Sequence, residues 1–279
     1  DLVAIQTAGL AGTDDITVTG AITGAGNGLT LNSGAQGDIA LQGDASGLST
    51  LTATGSSIAT RNVTSTGSQT YTGPTTVTGN IATTAAGAAT FTGNATVTGN
   101  VSTTAGNILF NNNAAIGGNL ATTTSGLLTV TGTTTLTGAS QTFQTANQNM
   151  TLGPVTGASA LTLNAGSAAI TLGQVGATPL TSLAATGSSI TTSSTVATTG
   201  NQAYTGAATF GGNLTTSGGS ATVTGGTTLA APVTIQTAGG AINLAAINGA
   251  ANPLILNAGS GNVTLSGNAT GLSSLSATG

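Results

Sequence analysis

The side chains able to do acid–base or ionic chemistry number eight: Asp1, Asp14, Asp15, Asp38, Asp44, Arg61, Tyr71 and Tyr204. No His, Cys, Lys or Glu is present. General acid–base catalysis requires titratable groups converging on one substrate, and only Asp14 and Asp15 are adjacent. On a strand, neighbouring side chains point to opposite faces. The stretch TDDIT at 13–17 therefore reads as a polar turn. Polysaccharide-cleaving β-helices carry clusters of Asp, Lys or Arg in a groove, and this chain has no such cluster. The expectation is a protein that is not an enzyme and carries no cofactor.

Metal and anion sites fare no better. Asp38 and Asp44 lie six residues apart, but a hard cation prefers several carboxylates, and the calcium-binding nonapeptide pattern is absent. Arg61 follows Asp44 by 17 residues, within reach of an ion pair between successive coils, worth roughly 0–1 kcal/mol if exposed. GSGNVTLSGN at 259–268 lacks the Lys and helix of a phosphate loop and reads as a run of corners. A net charge of −4 argues against nucleic acid, whose phosphates demand clustered Lys and Arg. No apolar run is long enough for a membrane-spanning helix. The lack of Cys decides little about compartment. The chain starts at Asp1 and stops mid-pattern at SATG, so a segment of something longer is expected.

The elements that would position any site come from a repeat. Charged residues make up 2% of the chain, against about 25% in ordinary domains. The hydrophobic fraction is nevertheless 38%, which sets the chain apart from disordered sequences. Val, Ile, Leu and Ala flanked by β-branched Thr favour strands. TVTGNI at 76–81 returns as TVTGNV at 96–101. Three apolar columns follow this interval: Ile81, Val101, Leu120; Tyr71, Phe91, Phe110, Val130; and Val77, Val97, Ile116, Leu136. Alternation of apolar and Thr residues marks short strands, and Gly-Asn pairs mark corners.

Three strands cannot enclose a core, but stacked copies turn each column into a continuous ladder. The expected fold is all-β: a right-handed parallel β-helix (β-solenoid) with about 19–20 residues and three short strands per coil. The hand follows the rule for parallel connections. Residues 1–279 are expected to form a single continuous solenoid segment, with long-range copies roughly at 1–81, 141–214 and 233–279. GSQTYTGPTTVTGNI at 67–81 matches GNQAYTGAATFGGNL at 200–214, and LTLNAGSAAITL at 161–172 matches LILNAGSGNVTL at 254–265. The offsets of 133 and 93 differ by two coils, as though two coils near 82–120 were inserted in one copy.

Within this frame Tyr71, Phe91 and Phe110 are expected to stack as an internal aromatic ladder rather than form a sugar platform, with Tyr204 equivalent to Tyr71. Asn80, Asn100 and Asn119 are expected to form a corner ladder of side-chain amides hydrogen-bonded along the axis. The alternative is that Asn merely tolerates a left-handed backbone there.

The motifs QTYTG (69–73) and QAYTG (202–206), the TVTGN corners and the LNAGS stretches resemble the repeats of filamentous-haemagglutinin-like bacterial exoproteins, many exported by two-partner secretion. The resemblance is one of repeat style across essentially the whole chain. It implies a right-handed β-helix shaft, an extracellular or cell-surface location, and a role in adhesion, aggregation or filament formation. The family's N-terminal secretion domain, with its NPNL and NPDG motifs, has no counterpart in these residues, so neither a secretion route nor a receptor carries over. The expected function is a structural shaft of a secreted surface fibre, self-associating end to end or side by side, with no nucleic acid partner. An adhesin tip would present aromatics or charged pockets, which these residues do not supply. The alternative is an ice-binding solenoid using Thr-x-Thr rows; TVT occurs at 17–19, 76–78, 96–98 and 222–224. Only the middle two lie one coil apart, and the flanks of Phe91, Phe110 and Val130 are irregular.

Overall fold

The computed structural model describes residues 2–7 and 14–279; Asp1 lies outside the described residues. Every regular element among them is a β-strand. The chain forms two compact units, Asp1–Gly138 with Gln144–Ala146, and Ala139–Phe143 with Asn147–Gly279. Each is a parallel β-solenoid.

In the first unit, three strands per coil build three parallel ladders. The first contains Leu2–Gln6, Gly28–Asn32, Leu51–Thr54, Gln69–Thr72, Ala89–Phe91, Ile108–Phe110 and Leu128–Val130. The second runs through Ile16–Val18, Asp38–Leu41, Ser57–Thr60, Thr75–Val77, Ala95–Val97, Ala114–Ile116 and Thr134–Leu136. The third contains Ile22–Thr23, Ala45–Leu48, Val63–Ser65, Ile81–Thr83, Val101–Thr103 and Leu120–Thr122.

The second unit repeats the plan with longer elements. Ser182–Thr192 and Gln202–Phe210 are continuous strands of 11 and 9 residues, each serving two ladders. One ladder joins their far halves to Met150–Leu152, Ala169–Leu172, Thr227–Leu229, Ile247–Asn248 and Ala269–Thr270. Another joins their near halves to Ala160–Asn164, Ala221–Val223, Ile242–Leu244 and Val263–Leu265. The remaining ladder runs from Val155–Thr156 through Val175–Leu180, Val196–Thr198, Leu214–Thr216, Val233–Thr237 and Leu254–Asn257 to Leu275–Thr278.

The strands are short because the corners recur so soon, and a three-residue strand turns its two ends inward and its middle outward. In the coil 69–83, Gln69, Tyr71, Thr75, Val77, Ile81 and Thr83 all point inward and are buried. Each coil there thus fills six inward columns, where the apolar pattern marks only three. The unmarked columns mix Ala, Thr, Ser and Gln, residue types that do not announce burial, with occasional apolar members such as Ile58, Ile108 and Leu128. A fully buried Val or Ile contributes roughly 1.5–3 kcal/mol, and each occupies a site bounded by the coil on either side.

The interval of 19–20 residues holds between Ile81 and Leu136 and is relaxed elsewhere. Leu29 pairs with Leu51, 22 residues on. Val175 pairs with Val196 but Leu180 with Thr198, so Gly176–Pro179 bulges outward while the ladder closes around it. Corners admit little else than glycine where coils touch. Gly73 has φ +130°, and a Cβ there would lie 2.1 Å from the carbonyl oxygen of Gly55 in the preceding coil.

Candidate functional site: the stacked ladders and corners

The three apolar columns stand in register in the first unit. Val77 pairs with Val97, Val97 with Ile116 and Ile116 with Leu136. Ile81 pairs with Val101 and Val101 with Leu120. Tyr71, Phe91, Phe110 and Val130 follow one another in the first ladder. The rings of Tyr71 and Phe91 stack with centroids 4.9 Å apart and planes 6° from parallel, and those of Phe91 and Phe110 at 4.6 Å and 4°. Such pairs contribute about 0.5–1.5 kcal/mol beyond their burial.

Tyr204 sits differently. Its neighbours in the ladder are Ala185 and Val223, and it meets Phe210 edge-on at 5.2 Å and 76°. What the two tyrosines share is polar. Tyr71 donates its hydroxyl hydrogen to Gln69 Oε1, and Gln69 Nε2 donates to Ser65 Oγ and the Ala82 carbonyl. Tyr204 likewise donates to Gln202 Oε1, with Gln202 Nε2 on Thr198 Oγ1 and the Thr215 carbonyl. The sequence motif Gln-x-Tyr is thus a buried, internally satisfied cluster. Burial pushes both phenols well above their ordinary pKa, because the phenolate would have no water.

The corner asparagines are exposed and linked. Asn80 Oδ1 accepts the backbone N–H of Asn100 at 2.8 Å, and Asn100 Oδ1 that of Asn119 at 2.8 Å. The file extends backwards: Asn62 Oδ1 accepts from Asn80 N, and Asp44 Oδ1 from Asn62 Nδ2. The short bond is therefore donated by a backbone N–H to a side-chain oxygen, with a longer amide-to-amide bond from Asn80 Nδ2 to Asn62 Oδ1 at 3.4 Å, which refines the sequence expectation. None of Asn80, Asn100 and Asn119 has positive φ, so tolerance of a left-handed backbone does not explain them. The same bond recurs from Asn107 to Leu127, Asn113 to Thr133, Asn149 to Ala169 and Asn213 to Thr234. A corner Asn satisfies an N–H that the short strand leaves without a ladder partner.

A second set of corner bonds escapes the apolar pattern. Ser65, Thr83, Thr103 and Thr122 share an inward column. Their hydroxyls donate to the carbonyls of Gly67, Gly87, Gly106 and Gly126 across the following corner. The recurrent dipeptide Thr-Thr after an apolar residue, as in IATT, VSTT and LATT, is the signal that marks them.

Asp15, Asp38, Asp44 and Arg61 are dispersed into structural bonds, whereas Asp14 Oδ2 is buried without a hydrogen-bond partner. Asp38 Oδ1 accepts from the hydroxyls of Ser56 and Ser57 at 2.5 and 2.7 Å. The Ser56 hydroxyl, then that of Ser57, holds its carboxyl below the ordinary value. Asp15 Oδ1 accepts the Asp38 N–H. Arg61 donates to the Gln42 carbonyl at 3.3 Å, while Asp44 is taken by Asn62; the pairing of Arg61 with Asp44 that the spacing suggests is replaced by these contacts. Among the described residues, no three acidic, His or Cys side chains converge as metal ligands would. A shallow depression of the first unit is lined by Gly47, Leu48, Thr64, Ser65, Thr66 and Thr84, without an ionisable group. The arrangement offers stiffness, backbone saturation and rows of exposed hydroxyls. Compared with protein-family models, curated proteins and solved structures, the chain matches none.

Proposed function

We infer that this chain is a stretch of the shaft of a secreted bacterial surface fibre, of the filamentous-haemagglutinin-like kind, supporting adhesion, cell aggregation or a biofilm matrix. The observation that carries this reading is where the polar chemistry goes. Many Asn, Gln, Ser and Thr side chains at corners and in the core bond to adjacent coils or their own corner, a few buried hydroxyls such as those of Thr60 and Thr134 staying without a partner. Three inward columns of the first unit are filled by mutually stacked apolar groups. Such a molecule transmits load along its ladders, and its role is reach and rigidity at the cell exterior without catalysis.

Its partner in this reading is another copy of itself, met end to end or side by side. End-to-end association would use the open edges of a strand, since an uncovered strand is a template for further pairing. The test is electron microscopy with fibre diffraction on the purified chain at rising concentration. Fibres with a meridional spacing of about 4.8 Å are expected; a monomer at every concentration, without fibres, overturns the assembly.

A further inference from the structure

Some outward side chains form an order of their own. In the first ladder of the first unit, the middle positions are Thr30, Thr52, Thr70, Thr90, Leu109 and Thr129, each in register with the next. Two residues further along the longer strands, Asn32, Thr54 and Thr72 form a short second outward file. In the second unit, Thr151, Thr171, Thr191, Thr209 and Thr228 form an uninterrupted outward row over five coils. The hydroxyls of these row threonines make no hydrogen bond within the protein, in contrast to the corner and inward threonines.

Strand propensity alone does not produce this. Were Thr placed outward only because β-branched residues suit strands, all ladders would carry it alike. The third ladder of the first unit shows Ser46, Thr64, Ala82, Ser102 and Ala121 outward instead. The second ladder carries Thr17, Thr76, Thr96 and Thr135 outward but interrupts them with Ala40, Ala59 and Ala115, so the longest unbroken threonine runs lie in one ladder of each unit.

We propose that these threonine rows bind ice. A Thr side chain offers one methyl and one hydroxyl on a stiff χ1, so the row is a fixed alternation of apolar and hydrogen-bonding points. Successive coils set these points about 4.8 Å apart, and residues two apart on a strand set them about 6.7 Å apart. Both spacings lie close to oxygen repeats on the prism faces of hexagonal ice. Methyl groups hold cages of water between the rows, and the free hydroxyls anchor those cages as part of the lattice. The rows contain no ionisable side chain, which complements a neutral lattice; charged groups would draw water into radial shells and gather counter-ions. The TVT motifs are poorer guides, because the first-unit row passes through Thr-Ala-Thr and Thr-Tyr-Thr at 52–54 and 70–72 and through Thr90, whereas Thr92 donates to the Tyr71 carbonyl. This binding surface does not rest on the shaft reading.

The test is ice growth in a nanolitre osmometer, together with adsorption of the labelled full chain to a growing ice surface. The unmodified protein is expected to facet ice crystals, open a gap between melting and freezing, and coat the ice. Thr70→Tyr with Thr191→Tyr is expected to lose most of that gap with an unchanged circular dichroism spectrum, whereas Thr64→Tyr with Thr222→Tyr, on other ladders, retains it. Absence of faceting and adsorption by the unmodified protein overturns the proposal whatever the variants do. Equal loss in both double variants overturns it as well.

Discussion

Tyr71 donates its hydroxyl hydrogen to Gln69 Oε1 at 2.8 Å, two residues away on the same strand and fully inside the first unit. Tyr204 and Gln202 repeat the bond at 3.0 Å in the second. Removing the donor leaves a buried amide oxygen without a partner, at a cost of about 1–3 kcal/mol. Tyr71→Phe should therefore lower the unfolding free energy by about that amount. The double variant Gln69→Leu/Tyr71→Phe should recover part of the loss, which a double-mutant cycle by chemical denaturation measures.

Thr60 presents the opposite case. Its hydroxyl is buried without a hydrogen-bond partner, in register with Val77. Thr60→Val keeps the shape and removes the unsatisfied group. The variant should be more stable by about 1 kcal/mol, seen as a higher denaturation midpoint at unchanged slope.

The corner asparagines act through their oxygen, which sets the substitution rule. Asn80→Ala removes the acceptor for the Asn100 N–H, and at an exposed corner the loss should be about 0.5–1.5 kcal/mol. Asn80→Asp retains an acceptor and should lose less. Amide hydrogen exchange at Asn100 should quicken in the first variant and stay near the unmodified rate in the second.

Asp38 makes the first unit mildly acid-sensitive. Its folded-state pKa is depressed below the ordinary 3.8, chiefly by the Ser56 hydroxyl and then by Ser57. A depressed carboxyl contributes stability that is present above the ordinary value and lost as pH falls through the folded one. Carbon-detected NMR titration should place its midpoint below that of an unstructured aspartate, and Ser56→Ala/Ser57→Ala should move it upward.

The tyrosines govern the alkaline side. With both phenols raised by burial, their contribution is complete below the ordinary phenol value of about 10 and is lost as pH rises from there toward the folded value. Phenolate absorbance should stay absent from the folded protein and appear together with unfolding. Tyrosinate signal in a protein that retains its strand spectrum would contradict the burial of Tyr71 and Tyr204.

Much of the fold was legible before any coordinates because a stacked coil imposes its period on the most apolar residues. Val77, Val97 and Ile116 must recur at the coil length if each is to meet the next. Half of the inward positions were not legible, because Thr83, Ala89 and Gln69 are residue types equally at home on a surface. Tyr204 also shows the limit of copying: its sequence neighbourhood matches that of Tyr71, yet it meets Phe210 edge-on rather than a stacked ring. Contacts across coils depend on residues 17–26 positions away, which a local match does not include.

The order of residues by itself determined that this protein is a parallel stack of β coils with almost no ionisable chemistry, since period and composition are properties of the chain. Only the tertiary structure decided which hydroxyls close corners, which amide oxygens bridge coils and which threonines face outward in rows. A side chain's partner in a solenoid lies one coil away, and the coil length that brings the two together varies with every bulge and corner.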